Sequence, residues 1–204
     1  GTSLVFTGDS GLKVDGELSI DAPGITAGQA TTSSLLATGR LAVSGGDPAA
    51  SVPTAAGLGA RLTMSAADID FGGRIVLPSG TVRLVQTGDP ATPVQGNNLR
   101  VAGNAAIDVA GDTLVFGPKQ VGTPGGTISL EAETGTLELA AGAVLDVSGA
   151  TDAEAGTLEL RAAQGAVSFA PELRLLARDT AQSTGSFLLD AGSLVSSDPT
   201  VGNA

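Results

Sequence analysis

Carboxylates are the side chains of this chain whose type and spacing could support chemistry. They form three groups: Asp68 with Asp70, Asp108 with Asp112, and Asp146 with Asp152 and Glu154. Asp68 and Asp70 are two positions apart, which places both side chains on one face of a strand. Carboxylate pairs cleave glycosidic bonds and bind Ca²⁺, so one hypothesis is a polysaccharide lyase or hydrolase, with or without Ca²⁺.

The rest of the composition argues against catalysis. The chain of 204 residues contains no His, Cys, Trp or Tyr. This excludes serine, cysteine and most zinc chemistry, and it removes two of the aromatic residues that usually line sugar clefts. The sequence also lacks an EF-hand loop, a G-G-x-G-x-D repeat and a phosphate-binding glycine loop. We therefore expect no enzyme activity and no catalytic, cofactor-binding or metal site.

The elements that position these residues are internal repeats. GTISLEAETGTLELAAGAVLDVSG from Gly126 matches GTLELRAAQGAVSFAPELRLLARD from Gly156 without a gap, and GSFLLDAG opens a third copy at Gly185 after a nearly equal interval. Each copy contains three short alternating runs that are typical of half-buried strands. Strands stacked on their counterparts in the next copy predict an all-β fold, a parallel β-helix.

Strand signals that could open a coil recur along the whole chain. They begin at Leu4, Leu35, Leu62, Leu99, Ile128, Leu158 and Phe187. The sequence therefore predicts a single domain over residues 1–204, with about seven coils of roughly 30 residues stacked ~4.8 Å apart. Because the chain begins and stops within this strand pattern, we expect an excerpt of a longer repetitive protein.

Four segments rich in Pro, Gly or small polar residues are expected to leave the coil, because Pro removes a hydrogen-bond donor from a central strand. They begin at Gly45, Thr87, Gly117 and Ala150. Gly-Asp-Pro tripeptides at Gly46 and Gly88 open two of these segments. We interpret them as a shared turn signal, with ligand binding as the alternative.

Charge and hydrophobicity restrict the partners. The net charge of −11 is spread along the chain, which disfavours binding to nucleic acid or to an anionic membrane. No apolar run approaches the ~20 residues of a membrane span, and no signal peptide is visible. The 42% hydrophobic content supports an ordered protein.

The segment GTLELAAGAVLDVSGATDAEAGTLELRAAQGAV resembles the repeats of filamentous-haemagglutinin-type exoproteins of the two-partner secretion route. Similar sequence patterns, as in FGGRIVLPSGTVRLVQTG and AIDVAGDTLVFG, extend from Leu62 to Asp190. The resemblance implies a right-handed β-helix, exported by an outer-membrane partner transporter and either secreted or displayed on the bacterial surface. The N-P-N-[GL] motif of the family's secretion domain is missing, since Asn97-Asn98 lacks the Pro, which places this segment within the shaft.

The function implied by the resemblance is a structural shaft segment of a bacterial surface fibre or adhesin. Its partners would be a host or bacterial surface receptor, and further copies associated end to end or laterally, because an uncapped solenoid exposes strand edges. The polysaccharide lyase or hydrolase remains the alternative from another class. A third hypothesis, the stalk of a toxin-delivery exoprotein, follows from family members that carry a C-terminal toxin.

The alternation also predicts which side chains point inward. The residues expected to be nearly fully buried are Ile128, Leu130, Leu137, Leu139, Leu145, Leu158, Leu160, Val167, Phe169, Leu173, Leu175, Phe187 and Leu189.

On the outer face, the same alignment places Glu131 beside Arg161, and Arg161 beside Asp190. This predicts a ladder of acid, base and acid with a spacing of ~4.8 Å. A shorter repeat period would instead stack Glu138 on Glu159.

Overall fold

The structure, a computed structural model, describes residues 3–45, 57–88, 97–178 and 185–196. This part of the chain consists of strands and turns without a helix, as the alternation predicted. Most strands are short, because glycine and small polar residues interrupt the alternating runs. In chain order the strands are β1 (Leu4–Phe6), β2 (Ser10–Val14), β3 (Leu18–Asp21), β4 (Ile25–Ala27), β5 (Thr32–Ala37), β6 (Arg40–Ser44), β7 (Arg61–Ala66), β8 (Asp68–Phe71), β9 (Arg74–Val76), β10 (Thr81–Gln86), β11 (Leu99–Val101), β12 (Ala106–Asp108), β13 (Thr113–Phe116), β14 (Lys119–Gly122), β15 (Thr127–Ala132), β16 (Leu137–Leu139), β17 (Val144–Asp146), β18 (Thr157–Phe169), β19 (Arg174–Leu176) and β20 (Ser186–Ser196).

The largest sheet is parallel, contains twelve strands and is nearly closed. Its first row runs β2, β5, β7, β10, β15, the start of β18 and the start of β20. Its second row runs β3, β6, β8, β11, β16, the end of β18 and the end of β20. The two rows form one sheet because the long strand β18 belongs to both.

A second parallel sheet of six strands forms the third row, in the order β1, β4, β9, β12, β17 and β19. The chain visits the first, second and third rows in turn, except that no described strand of the third row lies between β6 and β7, and β4 pairs with β9. A separate antiparallel sheet contains only β13 and β14. The all-β, largely parallel architecture expected from the repeats is confirmed.

The register within the repeat region agrees with the sequence alignment. Thr127 pairs with Thr157, and Leu158 pairs with Phe187, as the aligned copies predicted. Glu138 pairs with Ser168 and not with Glu159, which excludes the shorter repeat period.

The expected coil openings at Leu4 and Leu99 are wrong. Leu4 pairs with Ile25 in the third row, and Leu99 lies in the second row between Ile69 and Leu137. Short runs such as LVF and LRV look alike in every row, so the sequence did not show which row each one occupied. The strand that follows Leu62 in the first row is β10.

Residues from all three rows form one apolar core. The predicted core residues that are buried are Ile128, Leu130, Leu137, Leu139, Leu145, Leu158, Leu160 and Val167. Phe169, Leu173 and Leu189 are half-buried and pack against this core.

The expected burial is wrong for Leu175 and Phe187, whose exposed fractions are 39% and 54%. Both side chains have the expected register, since Leu175 pairs with Leu145 and Phe187 with Leu158. They belong to β19 and β20, the last strands of their rows, and no other described strand lies beyond them. Burial of an inward residue thus requires a neighbouring strand on both sides.

The recurring glycine before each repeat has a steric cause. A Cβ atom on Gly156 would collide with the carbonyl oxygen of Gly126, and a Cβ atom on Gly126 would collide with that of Gly80. The same carbonyl groups accept hydrogen bonds from Thr157 and Thr127. The stacked corners therefore leave no room for a side chain between them.

Gln86 fixes the end of β10, directly before the segment that begins at Thr87. This side chain is fully buried, and its Nε2 donates to the Ala67 carbonyl at 3.0 Å and to Thr134 Oγ1 at 3.1 Å. Its Oε1 accepts hydrogen bonds from the backbone N–H groups of Thr134 and Gly135. A buried amide with all these partners ties together corners from three passes of the chain.

The predicted excursions are confirmed where they can be described. Gly117 lies at the turn of the β13–β14 hairpin, and the segment from Ala150 is a turn between β17 and β18. The Gly-Asp-Pro at Gly46 lies outside the described residues, as does all but the glycine of the tripeptide at Gly88.

Leu160→Ala should lower the free energy of unfolding by roughly 2 to 5 kcal/mol, because it removes buried apolar surface and leaves a cavity. Leu194→Ala is the matched control, since Leu194 is 62% exposed, and it should cost much less. Denaturant unfolding of both variants measures the difference. Equal losses at the two positions would contradict the core assignment.

Candidate functional site

Asp68 and Asp70 lie on the same face of β8, as predicted, but they are paired with arginines. Arg40 Nε lies 3.5 Å from Asp68 Oδ2, and Arg40 Nη2 lies 2.9 Å from Asp70 Oδ2. Arg100 Nη1 lies 3.3 Å from Asp70 Oδ1, on the opposite side of β8. Each carboxylate therefore has a cationic partner on a neighbouring strand.

The same ladder continues along the outer face of the second row. Arg100 Nε lies 3.4 Å from Glu138 Oε1 on β16. Register explains the contacts, because Asp70 pairs with Arg100, and Arg100 with Glu138. Pairs this exposed each contribute only ~0.2 to 1 kcal/mol, so their main effect is on register.

The register of the predicted ladder in the first row is confirmed, but its ion pairs differ from the expectation. Glu131 pairs with Arg161, and Arg161 with Asp190. The carboxylate of Glu131, however, lies 2.7 Å from Arg83 Nη2 on β10, and Arg161 Nη2 lies 3.7 Å from Glu159 on its own strand. The long arginine side chains thus select diagonal and same-strand partners.

Asp108 and Asp146 occupy matching positions in the third row, where β12 pairs with β17. Asp108 Oδ1 accepts a hydrogen bond from Ala110 N at 3.1 Å, and Asp146 Oδ1 accepts one from Ser148 N at 2.9 Å. Burial raises the pKa of Asp108, and the charge of Asp146 acts in the same direction, whereas the Ala110 N–H and the charge of Arg74 oppose the rise. The sequence did not bring these two acids together, because they belong to different candidate groups.

The remaining candidate acids do not form a metal site. Asp112 lies at the base of the hairpin, where its Oδ1 accepts a hydrogen bond from Thr113 N at 2.7 Å. Asp152 and Glu154 are exposed in the turn after β17. Within the described ranges, no three acidic, His or Cys side chains are arranged to hold a metal ion.

The most exposed apolar element apart from the ends of the stack is the β13–β14 hairpin. Val115 and Phe116 are 64% and 62% exposed, and Val121 is also exposed. Because Val115 and Phe116 are adjacent in a strand, their side chains point to opposite faces. Among the described residues, neither edge of the hairpin pairs with another strand. We call residues 113–122 the projecting hairpin.

Hydrogen bonds fix the base of the projecting hairpin to the stacked sheets on both sides. Thr123 Oγ1 accepts from Asp112 N at 2.8 Å and lies 2.7 Å from the hydroxyl of Ser79, in the turn before β10. The Ser79 hydroxyl also donates to the Pro124 carbonyl at 2.8 Å. On the other side, Ala150 N donates to the Thr123 carbonyl at 3.1 Å. The hairpin is therefore displayed from a fixed base.

An open cleft of about 350 Å³ lies between the projecting hairpin and the Thr151–Asp152 turn. Thr113, Lys119, Gln120 and Val121 form its hairpin side. A Cβ atom on Gly122 would collide with the Thr151 carbonyl oxygen, so glycine allows this close approach. The cleft offers hydroxyl, amide, ammonium and carboxylate groups next to an apolar tip, a combination suited to binding.

The projecting hairpin was only half expected from the sequence. The segment from Gly117 was predicted to leave the coil, but AIDVAGDTLVFG was assigned to the shaft. Thr113–Phe116 lies in the hairpin instead. The signal that could have identified it is Gly117-Pro118 between two alternating runs, TLVF and KQVG.

The chain matches no family model, no curated protein and no solved structure. In the part of the chain that the structure describes, no helix has the length and apolarity needed to cross a membrane.

Asp108→Asn should stabilise the protein more at neutral pH than in acid. A carboxyl group whose folded-state pKa is raised favours folding in its protonated form, and this contribution is lost as pH rises through that pKa. Asn keeps the acceptor for the Ala110 N–H but carries no charge. Denaturant unfolding between pH 3 and 7 measures the difference from the unsubstituted chain. Asp15→Asn, at an exposed position, is the control, and a pH-independent effect of Asp108→Asn would contradict this prediction.

Proposed function

We propose that residues 1–204 form a right-handed parallel β-helix of about seven coils of roughly 30 residues, serving as a structural shaft segment of a secreted or cell-surface bacterial fibre or adhesin. The observation that carries this proposal is the in-register stacking of three strand rows around one apolar core. A structure of this kind can be lengthened by adding passes without changing its cross-section. The right hand follows the strong preference of parallel crossover connections.

The arrangement of charge supports a structural role over catalysis. The acids of β8 and the neighbouring Glu138 are neutralised by arginines on adjacent strands. Such ladders hold strands in register and keep the outer face soluble, but they leave no free carboxylate pair there for glycan cleavage.

The projecting hairpin is the surface through which such a shaft would contact its receptor. It places two large apolar side chains in solvent on a base held by several hydrogen bonds. Exposed apolar anchors on a rigid support are a feature of protein interaction sites. The same proposal includes two partners. An outer-membrane partner transporter would export the chain, and a host or bacterial surface receptor would bind it.

The alternative function, a polysaccharide lyase or hydrolase, has one observation in its favour. Asp108 has a raised pKa and lies in register with Asp146, and general acids in glycosidases need a raised pKa. Incubation with acidic and neutral polysaccharides, with and without Ca²⁺, separates the two functions. The shaft proposal expects no cleavage, whereas cleavage that is lost in Asp108→Asn would establish the enzyme.

Beads coated with the 204-residue chain should adhere to cultured epithelial cells or to bacterial cells, tested in separate arms. Val115→Ser with Phe116→Ser should weaken adhesion about tenfold or more, because the anchors are lost. The matched control, Leu188→Ser with Val195→Ser, removes two exposed apolar residues elsewhere and should leave adhesion unchanged. Absence of adhesion in both arms, or equal adhesion by both variants, would contradict the receptor role of the hairpin.

A further inference from the structure

The two edges of the projecting hairpin differ in how readily they can accept another strand. β14 carries Lys119 directly after Pro118, and proteins use lysine and proline to keep free edges from pairing. All of β14, but only Thr113 of β13, lines the cleft towards the Thr151–Asp152 turn. β13 contains no charged residue and no proline. Among the described residues no strand pairs with its outer edge, so β13 is the edge that is open to a further strand.

The hydrogen bonding of the hairpin shows which main-chain groups of β13 point outward. Thr123 N donates to the Asp112 carbonyl at 2.8 Å, so these two residues form a hydrogen-bonded pair. Such pairs alternate along an antiparallel ladder, and the residues between them direct their N–H and C=O groups away from the partner strand. In β13 these residues are Thr113 and Val115. Thr113 N accordingly donates to the Asp112 carboxylate and not to β14.

The sequence of β13 is complementary to itself in the antiparallel direction. A second copy of β13 can exchange main-chain hydrogen bonds with the first when outward-pointing residues face each other, as Val115 and Val115 of the second copy do. In this register Leu114 lies opposite Phe116, on the other face of the sheet. Apolar cross-strand pairs of this kind stabilise antiparallel sheets. Every pair from Leu114 to Phe116 is therefore apolar.

A shift of the second strand by two residues also opposes outward-pointing residues, but it is less favourable. It places Phe116 opposite Asp112, and thus an aromatic ring beside a carboxylate. With Val115 opposite Val115, the antiparallel direction brings the tip of each hairpin, which carries Lys119, to the base of the other, where Asp112 lies. Opposite charges therefore approach each other at both ends of the contact.

We infer that the chain forms a two-fold dimer in which β13 of one copy pairs antiparallel with β13 of a second copy, with Val115 opposite Val115 and Leu114 opposite Phe116. The two projecting hairpins then form one antiparallel sheet. The contact is isologous, because both copies use the same edge, and it therefore closes at two copies. Because the paired edge is short, association should be weak and dependent on concentration.

This inference goes beyond the proposed function and does not rest on it. It depends on the projecting hairpin, and not on the hand of the β-helix or on a receptor. Edge pairing uses main-chain groups and leaves both faces of the hairpin in solvent. Sedimentation of the purified chain involves no receptor, whereas the adhesion assay does, so the two proposals can fail independently.

Sedimentation tests the contact. The unsubstituted 204-residue chain should form a dimer as its concentration rises. Val115→Lys should weaken dimerisation about tenfold or more, because it places two like charges directly opposite each other. Val121→Lys is the matched control, since Val121 is exposed on β14 and the substitution changes the net charge by the same amount. It should leave dimerisation unchanged, and circular dichroism establishes that both variants are folded.

Cysteine cross-linking tests the register, since the chain has no cysteine of its own. Residues opposite each other in an antiparallel pair have Cα atoms ~4.5 to 5.5 Å apart, within the range that a disulfide spans. Leu114→Cys and Phe116→Cys should each form few disulfide-linked dimers alone, because neither position faces itself across the two-fold axis. An equimolar mixture of the two variants should give the disulfide-linked heterodimer as its main product under mild oxidation.

Three results would overturn the inference. The first is a strict monomer at millimolar concentration of the unsubstituted chain. The second is equal dimerisation of Val115→Lys and Val121→Lys, which would place the contact elsewhere on the surface. The third is a Leu114→Cys variant that links to itself as readily as to Phe116→Cys, which would indicate a different register or a different contact.

Discussion

The structure depends on one constraint: each pass of the chain must return beside the previous pass with its apolar side chains over apolar side chains. Leu84, Leu130 and Leu160 show this stacking in the first row, where all three are fully buried. A shift by one residue would turn the whole inward set of a strand towards solvent. The glycines at the corners follow from the same constraint, because Gly126 and Gly156 approach too closely to admit a Cβ atom.

The constraint applies to the strands but not to the segments between them. Residues that serve a function can therefore lie in these segments. After Asp108 the chain forms the β13–β14 hairpin and then returns to the first row in register, as β15 on β10. The hydrogen bond between Thr123 and Ser79 holds the base of this hairpin, and the buried Gln86 holds the end of β10. A projecting hairpin on such a base can vary its tip at little cost to the core.

The sequence could predict the strand register where the repeats align without gaps. It could not predict ion-pair partners or burial, because these depend on which strands are neighbours. The alignment of the repeats placed Glu131, Arg161 and Asp190 in the correct register. The ion-pair partner of Glu131 was not predictable, because Arg83 reaches it diagonally from a strand far away in sequence. Alternation indicated the inward face of Phe187, but its exposure depends on whether another strand covers it.

The sequence alone also could not assign each strand to its row or show which carboxylates lie together. The runs at Leu4 and Leu99 show the same alternating pattern of apolar and polar residues as the first strands of the repeats. Thr113–Phe116 in the hairpin shows it as well. Only the strand pairing distinguishes them. The carboxylates of Asp108 and Asp146 come together because β12 stacks on β17, across an insertion that interrupts the regular spacing.

Disulfide formation tests the stacked register most directly, since the chain contains no cysteine. Paired residues on neighbouring parallel strands have Cα atoms ~4.8 Å apart, within the range that a disulfide spans. Glu138→Cys with Ser168→Cys should form an intramolecular disulfide under mild oxidation, because these residues pair. Glu138→Cys with Glu159→Cys should not. Peptide mapping of the oxidised proteins that finds the second disulfide and not the first would contradict the account.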